Sequence, residues 1–286
     1  MRAIRFACVL NFQFEQETER AIRQYSYLLR KIARERIQVE FDKILTSSWA
    51  AYGLETLARL DCFPYFLPEI CHTWQFAQEG GRHQFDIFTH TKKAVALAPP
   101  TVVLRLTMLL HDIGKPFVWQ REGQRDTFPG HSLVGAELAG KILERLRYDK
   151  KTIAQVRELI AQHERLLTAD EVCLRQAMAD LGEEGLRNLI AVKRADVWAH
   201  SDAMAQLPLE PFDQMERMLE RILERGDCCS LKQLAVSGQD MLALGCKGRQ
   251  IGELLQQLLQ QVLLEPARND RAYLLQQAEN LLAGTE

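Results

Sequence analysis

The sequence has no Cys-x-x-Cys pair, no long apolar run and almost no net charge, and each absence removes a class of protein. Its seven cysteines (8, 62, 71, 173, 228, 229 and 246) are odd in number and follow no framework spacing, which excludes a zinc finger and a disulfide scaffold. The segment Met1–Cys8 lacks the apolar core of a secretory signal. Together these features point to reduced thiols and a cytoplasmic location. No run approaches the ~18 apolar residues that span a bilayer, so no membrane partner is expected. Lys and Arg number 36 against 38 Asp and Glu, a net charge of −2. Bulk-charge coating of nucleic acid is thereby excluded, while a local basic face stays open. No aromatic-rich stretch offers a platform for single strands, so any RNA is expected to be read by shape. Alternating strand patterns are nearly missing. One hairpin is expected over Val118–Phe128, turned at Glu122-Gly123.

What is present is helical. The 286 residues are 47% hydrophobic and 26% charged, enough for a packed core and about two domains. Apolar residues recur at helical period over about 16–33, 34–46, 48–60, 87–98, 101–111, 131–147, 150–164, 170–181, 184–202, 211–225, 248–264 and 270–283. The expected fold is all-α. Punctuation divides it into helices over 1–60, a body over 61–206 and a helical tail over 207–286, with breaks at Pro64–Gly81 and Leu207–Pro211. The first 36 residues carry eight Arg or Lys against four Glu.

The candidate chemistry lies in the body. His90 sits in a helical run. His111 and Asp112 end the apolar run Val102–Leu110, and Gly114 and Pro116 should stop that helix just after them. His131 opens one helix, His163 closes another, and Asp196 lies within a third. Imidazole nitrogens with carboxylate oxygens suit Mn, Fe, Co, Ni or Zn, and Mg less well. Helical bundles build such sites from inward-facing side chains on several helices. Taken singly, each of these histidines reads more readily as a satisfied interior or surface residue than as a ligand.

Their order carries more. His90, then His111-Asp112 within His111–Lys115, then Asp196, resemble the H…HD…D pattern of the HD-domain metal-dependent phosphohydrolases. His131 and His163 resemble the two further histidines of members that hold two metals. The resemblance implies one or two divalent ions held by His90, His111, Asp112, Asp196, His131 and His163. It also implies hydrolysis of phosphate monoesters or diesters, 2′,3′-cyclic esters included, on a phosphorylated nucleotide or RNA. Asp112 and Lys115 are the expected catalytic pair, with Lys115 and Arg194 as phosphate-neutralising cations. His72, His83 and His200 match no position of the pattern and read as background, with His83 close enough in sequence to His90 to line the pocket.

A second resemblance covers nearly the whole chain. Arg2–Ala7 is similar to the segment of the form EDxxRxLRAIRF that opens the neck of the bacterial CCA-adding tRNA nucleotidyltransferases, of the poly(A) polymerase superfamily. Ala33–Glu40 resembles their next neck motif. Ser237–Gly245, Gly248, Ile251-Gly252 and Asn269–Arg271 resemble their tail. On this likeness 1–60 is neck, 61–206 the HD body and 207–286 the tail. Arg20, Arg23, Arg30, Lys31, Arg34 and Arg36 become candidate tRNA contacts, with Lys247 and Arg249 at a helix start. The family's catalytic head carries a Gly-rich nucleotide loop and paired aspartates, and neither is found here. This chain alone is therefore expected not to add nucleotides. Met1 stands where the family has Leu, which suggests either a Leu codon read as an alternative start or a natural headless derivative. The alternative to the hydrolase is a tRNA-binding scaffold without catalysis of its own.

Overall fold

The computed structural model describes residues 1–73, 87–123, 125–200 and 210–283. Among these residues the fold is all-α apart from one two-stranded ribbon, as the periodicity predicts. Two compact units are formed, Met1–Arg165 with Asn188–Leu207, and Leu166–Arg187 with Pro208–Glu286.

The first unit begins with α1 (Arg2–Leu10), α2 (Gln16–Tyr25), α3 (Arg34–Leu45) and α4 (Ala50–Arg59). It continues with α5 (Ile87–Leu97), α6 (Val102–Leu110), α7 (Lys115–Val118), α8 (His131–Arg145) and α9 (Lys150–Gln162). Between α7 and α8, β1 (Gln120–Glu122) pairs antiparallel with β2 (Arg125–Thr127), Arg121 opposite Asp126. This is the expected hairpin. The unit is organised around α6. Leu104, Leu106, Met108, Leu109 and Leu110 are all buried, and so are Arg105 and Thr107 between them. A helix enclosed on every side belongs inside a core, and α3, α5, α8 and α9 pack against it. Thr101 caps its start by accepting from the Leu104 N–H at 3.4 Å. Truncating Leu106 or Leu109 to Ala would cost about 2–5 kcal/mol.

Helix α1 falls outside the expected runs. It buries Ile4, Ala7 and Cys8 at helical spacing against α3 and α4. Phe6, Val9 and Leu10 stay exposed on the other side, which blurs the periodic signal. The expected run over 16–33 divides into α2 and a 3-10 turn, Ser26–Lys31. The single-turn α7 had no periodic signal to announce it.

Helix α10 (Glu171–Ala199) contains a break at Gly182, whose φ of 71° and ψ of 174° only glycine adopts readily. The two expected helices, 170–181 and 184–202, meet at that residue, with 201 and 202 outside the described residues. In the second unit follow α11 (Glu210–Arg225), α12 (Gly238–Ala243), α13 (Arg249–Leu264) and α14 (Arg271–Ala283). Ser237 and Asp240 form a capping box on α12. Arg175 is buried and donates from Nε to Leu263 O at 2.8 Å, which satisfies a carbonyl at the end of α13. No helix among the described residues is long and apolar enough to cross a membrane.

Candidate metal centre

The end of α6 sets the site. The helix stops at Leu110, one residue before the His-Asp pair rather than after it, and His111 is its C-cap. Pro116 falls in the first turn of α7 and helps to start it. Gly114 has an ordinary helical φ of −78°, so no turn geometry demands glycine there. Space does: a Cβ would lie 2.3 Å from His131 O and 2.8 Å from Gly135 N. Helix α8 thus crosses the 111–114 turn backbone to backbone, which carries His131 to Asp112.

Six of the expected site residues converge. Around one point, His90 Nε2 lies 2.9 Å from Asp196 Oδ1 and 3.2 Å from His111 Nε2. His111 Nε2 lies 3.4 Å from both Asp112 Oδ2 and Asp196 Oδ1. Around a second point, His131 Nε2 lies 3.2 Å from His163 Nε2 and 3.4 Å from Asp112 Oδ1. Asp112 Oδ1 is 4.0 Å from His163 Nε2. Asp112 therefore faces the first cluster with one oxygen and the second with the other. All six except half-buried Asp196 are buried.

The backbone aims three of the four rings. The Nδ1–H groups of His111, His131 and His163 donate to Met108 O (2.8 Å), Phe128 O (3.1 Å) and Ile160 O (2.6 Å). A carbonyl only accepts, so Nδ1 carries a proton and Nε2 points inward, the arrangement of metal-binding histidines. For His111 and His163 the acceptor is a carbonyl near a helix end, which has no partner further along the helix.

The charges fit a cation. Burial is the largest influence on His111 and opposes its protonation, yet Asp112 and Asp196 outweigh it and hold the ring above the ordinary histidine pKa. Burial likewise works against ionised Asp112, but His111, Lys115 and His131 hold it well below the usual carboxylate range. Asp196 is held down in the same way by His111 and His90. At the second point, burial and then the charge of His111 push His163 down to about 4, so its ring stays neutral. The Nε2 atoms of His131 and His163 face each other at 3.2 Å. With Asp112 they bring three potential donor atoms within 4.8 Å of one another, a spacing that one cation can bridge. The residues present fit one or two divalent ions.

A cleft of about 430 Å³ opens onto these groups. Lys115 lines it with Nζ 2.7 Å from Asp112 Oδ2. Lys193, which the sequence did not single out, also lines it and donates to His163 O at 2.8 Å. Burial lowers its pKa from the ordinary lysine value. Arg194 is not among the described lining residues. His200, read as background, lines the cleft and stacks on His90 with ring centroids 4.1 Å apart. Its i, i+4 spacing from Asp196 was the available signal. His72 packs instead against Phe117, and His83 lies outside the described residues. Lys247 and Arg249 are exposed in the second unit, where Arg249 pairs with Glu253 at 2.7 Å.

Comparison with known proteins agrees with both resemblances. Residues 89–200, which contain all six converging side chains, match the HD domain family. Residues 11–73 match the family described as the probable RNA and SrmB-binding site of polymerase A. Over 273 residues, 90% of this chain, the sequence is 32% identical to the A-adding tRNA nucleotidyltransferase of Deinococcus radiodurans. It is 30% identical over 274 residues to the CC-adding tRNA nucleotidyltransferase of Thermus thermophilus. This chain is a relative of the tRNA nucleotidyltransferases and carries an HD domain. It spans 62% and 61% of the length of those two relatives. The solved CCA-adding enzyme of Bacillus stearothermophilus, in complex with CTP, superimposes with a TM-score of 0.65 over 99% of this chain and 62% of that one. At 20% identity that likeness is one of fold. The polymerase A match takes in the exposed basic residues Arg20, Arg23, Arg30, Lys31 and Arg36.

Proposed function

We propose that the cleft is an HD-type, metal-dependent phosphohydrolase centre on a tRNA nucleotidyltransferase-like chain, acting on phosphate monoesters or diesters of nucleotides or RNA, 2′,3′-cyclic esters included. The observation that carries this reading is Asp112, one carboxylate oriented toward two clusters of inward-aimed Nε2 atoms. His90, His111, Asp112 and Asp196 would hold the first ion, and Asp112, His131 and His163 the second. A bound divalent ion acidifies water and polarises a phosphoryl oxygen. The chain supplies the rest. Carbonyls lock the tautomers of His111, His131 and His163. Lys115 keeps Asp112 ionised and offers an ammonium to a phosphate, and Lys193 offers another from the opposite helix. Arg194 would add charge beside it. We place neck-like helices at 1–60, the HD body at 61–206 and the tail at 207–286.

The match of residues 11–73 to an RNA-binding family supports a second reading, a tRNA-binding scaffold without hydrolysis. In it the basic residues of 1–36, with Lys247 and Arg249, would meet tRNA phosphates. Metal analysis of the purified chain, combined with a screen on p-nitrophenyl phosphate esters and 2′,3′-cyclic AMP, separates the two. Bound metal with turnover lost on chelation supports the hydrolase. Tight tRNA binding with neither metal nor turnover supports the scaffold.

A further inference from the structure

His90 is the one imidazole of the four that no carbonyl orients. Its Nδ1 is buried and has no hydrogen-bond partner among the described residues. What lies against it is the ring of His200, at 4.1 Å and an interplanar angle of 17°. The His200 N–H donates to Val197 O at 3.3 Å, an i to i−3 bond in the turn that ends α10. Asp196 and His200 lie on one face. His200 Nε2 sits 3.6 Å from Asp196 Oδ1, the oxygen that is 2.9 Å from His90 Nε2. Potential donor atoms of His90, Asp196 and His200 all lie within 4.8 Å of one another.

We propose that His200 is a seventh donor of the centre and serves the first ion, an inference that rests on the metal-centre reading above. Neutral imidazole is the commonest metal ligand, and His200 lines the cleft half-buried. With it, five residues serve the first ion: His90, His111, Asp112, Asp196 and His200. Three serve the second. The two positions are then unequal. The first binds tightly and loads first, and its imidazole content favours transition ions over Mg. The second is the exchangeable one.

The test uses the full chain, stripped of metal by chelator and titrated with Co²⁺ by calorimetry and visible absorption. Wild type should bind in two steps. His163→Ala should remove the weak step and leave the tight one. His200→Ala should weaken the tight step by at least about 10-fold and alter the cobalt spectrum, with helicity unchanged by circular dichroism. His200→Phe keeps the stacked ring and removes the nitrogens, so it should bind as weakly as His200→Ala. Wild-type affinity in His200→Phe would overturn ligation and leave only a stacking role for the ring. Unchanged affinity in both variants overturns the proposal as well. Wild-type protein that binds no cobalt would overturn the metal-centre reading itself, and this inference with it.

Discussion

Replacing Lys115 with Met tests whether the centre is built around a missing positive charge. Lys115 and Asp112 are 8% and 2% exposed, with Nζ 2.7 Å from Oδ2. Met is unbranched and apolar and can occupy much of the lysine stem's space. Removing one partner of a buried ion pair costs about 3–5 kcal/mol, because the other charge stays behind unpaired. Here His111 Nε2 and His131 Nε2, each 3.4 Å from an Asp112 oxygen, soften the loss. The low end applies, about 3 kcal/mol, or roughly two decades in the local opening equilibrium. A divalent cation on Asp112 replaces the lost charge, so the deficit should nearly vanish in saturating Mn²⁺. Hydrogen exchange of the amides of α6 and the following turn measures this, in chelator and in Mn²⁺. Protection should fall about 100-fold in chelator and only a few-fold in Mn²⁺. Equal losses in both conditions would refute the argument, since Lys115 would then be mere packing. No loss in chelator would refute the buried pair.

The metal-free protein should be most stable near pH 6.5. As the pH falls from 6.5 toward 4, the unfolded chain binds a proton that His163 in the fold refuses, and stability drops. As it rises above 6.5, His111 in the fold keeps a proton that the unfolded chain has released, and stability drops again as the pH passes through the raised value. The depressed pKa values of Asp112 and Asp196 withdraw their contribution only as the pH falls below about 3.8 toward those values. A flat profile of denaturation midpoints in chelator between pH 4 and 8 contradicts these assignments. Metal affinity should climb as His111 deprotonates, which titrations at several pH values would reveal. In the hydrolysis screen, Asp112→Asn should abolish turnover, whereas Lys115→Ala should cost a few kcal/mol of barrier at most. His163→Ala should be mild if one ion suffices and severe if two are needed, and wild-type turnover in Asp112→Asn would assign the activity to another site. Gly114→Ala should destabilise the first unit by about 1–3 kcal/mol or more and weaken ion binding at His131, because its Cβ meets His131 O at 2.3 Å. Unchanged thermal midpoint and metal stoichiometry in that variant would contradict the backbone-to-backbone crossing.

Long helices were legible because burial writes a period into the chain. The periods of α3, α8, α9 and α13 stand close to their observed bounds. Helix α1 is harder to read because Phe6, Val9 and Leu10 lie exposed alongside Arg2, which blurs the contrast between its two faces. The short α7 and α12 span too few turns for any period to show. The site is a different matter. His90 meets Asp196 across 106 residues of sequence, and no local pattern encodes such a contact. The six residues are legible through their order in a known motif, whereas Lys193 and His200 lie outside that motif. Their signal is helical spacing alone: Lys193 and Asp196 share a face of α10 at i and i+3, and His200 follows at i+7 in the turn just past its end. The division of Asp112 between two clusters depends on where α8 crosses the 111–114 turn, a matter of backbone clearance at Gly114 that residue identity only hints at.

In the proposed centre Asp112 serves two cation positions. Crystals of the chain grown with Mn²⁺ and measured for anomalous scattering test it most directly. Two peaks are expected, one among His90, His111, Asp112 and Asp196 and the other among Asp112, His131 and His163, with Asp112 between them. No peak at either position, or peaks only elsewhere on the surface, would contradict the central claim.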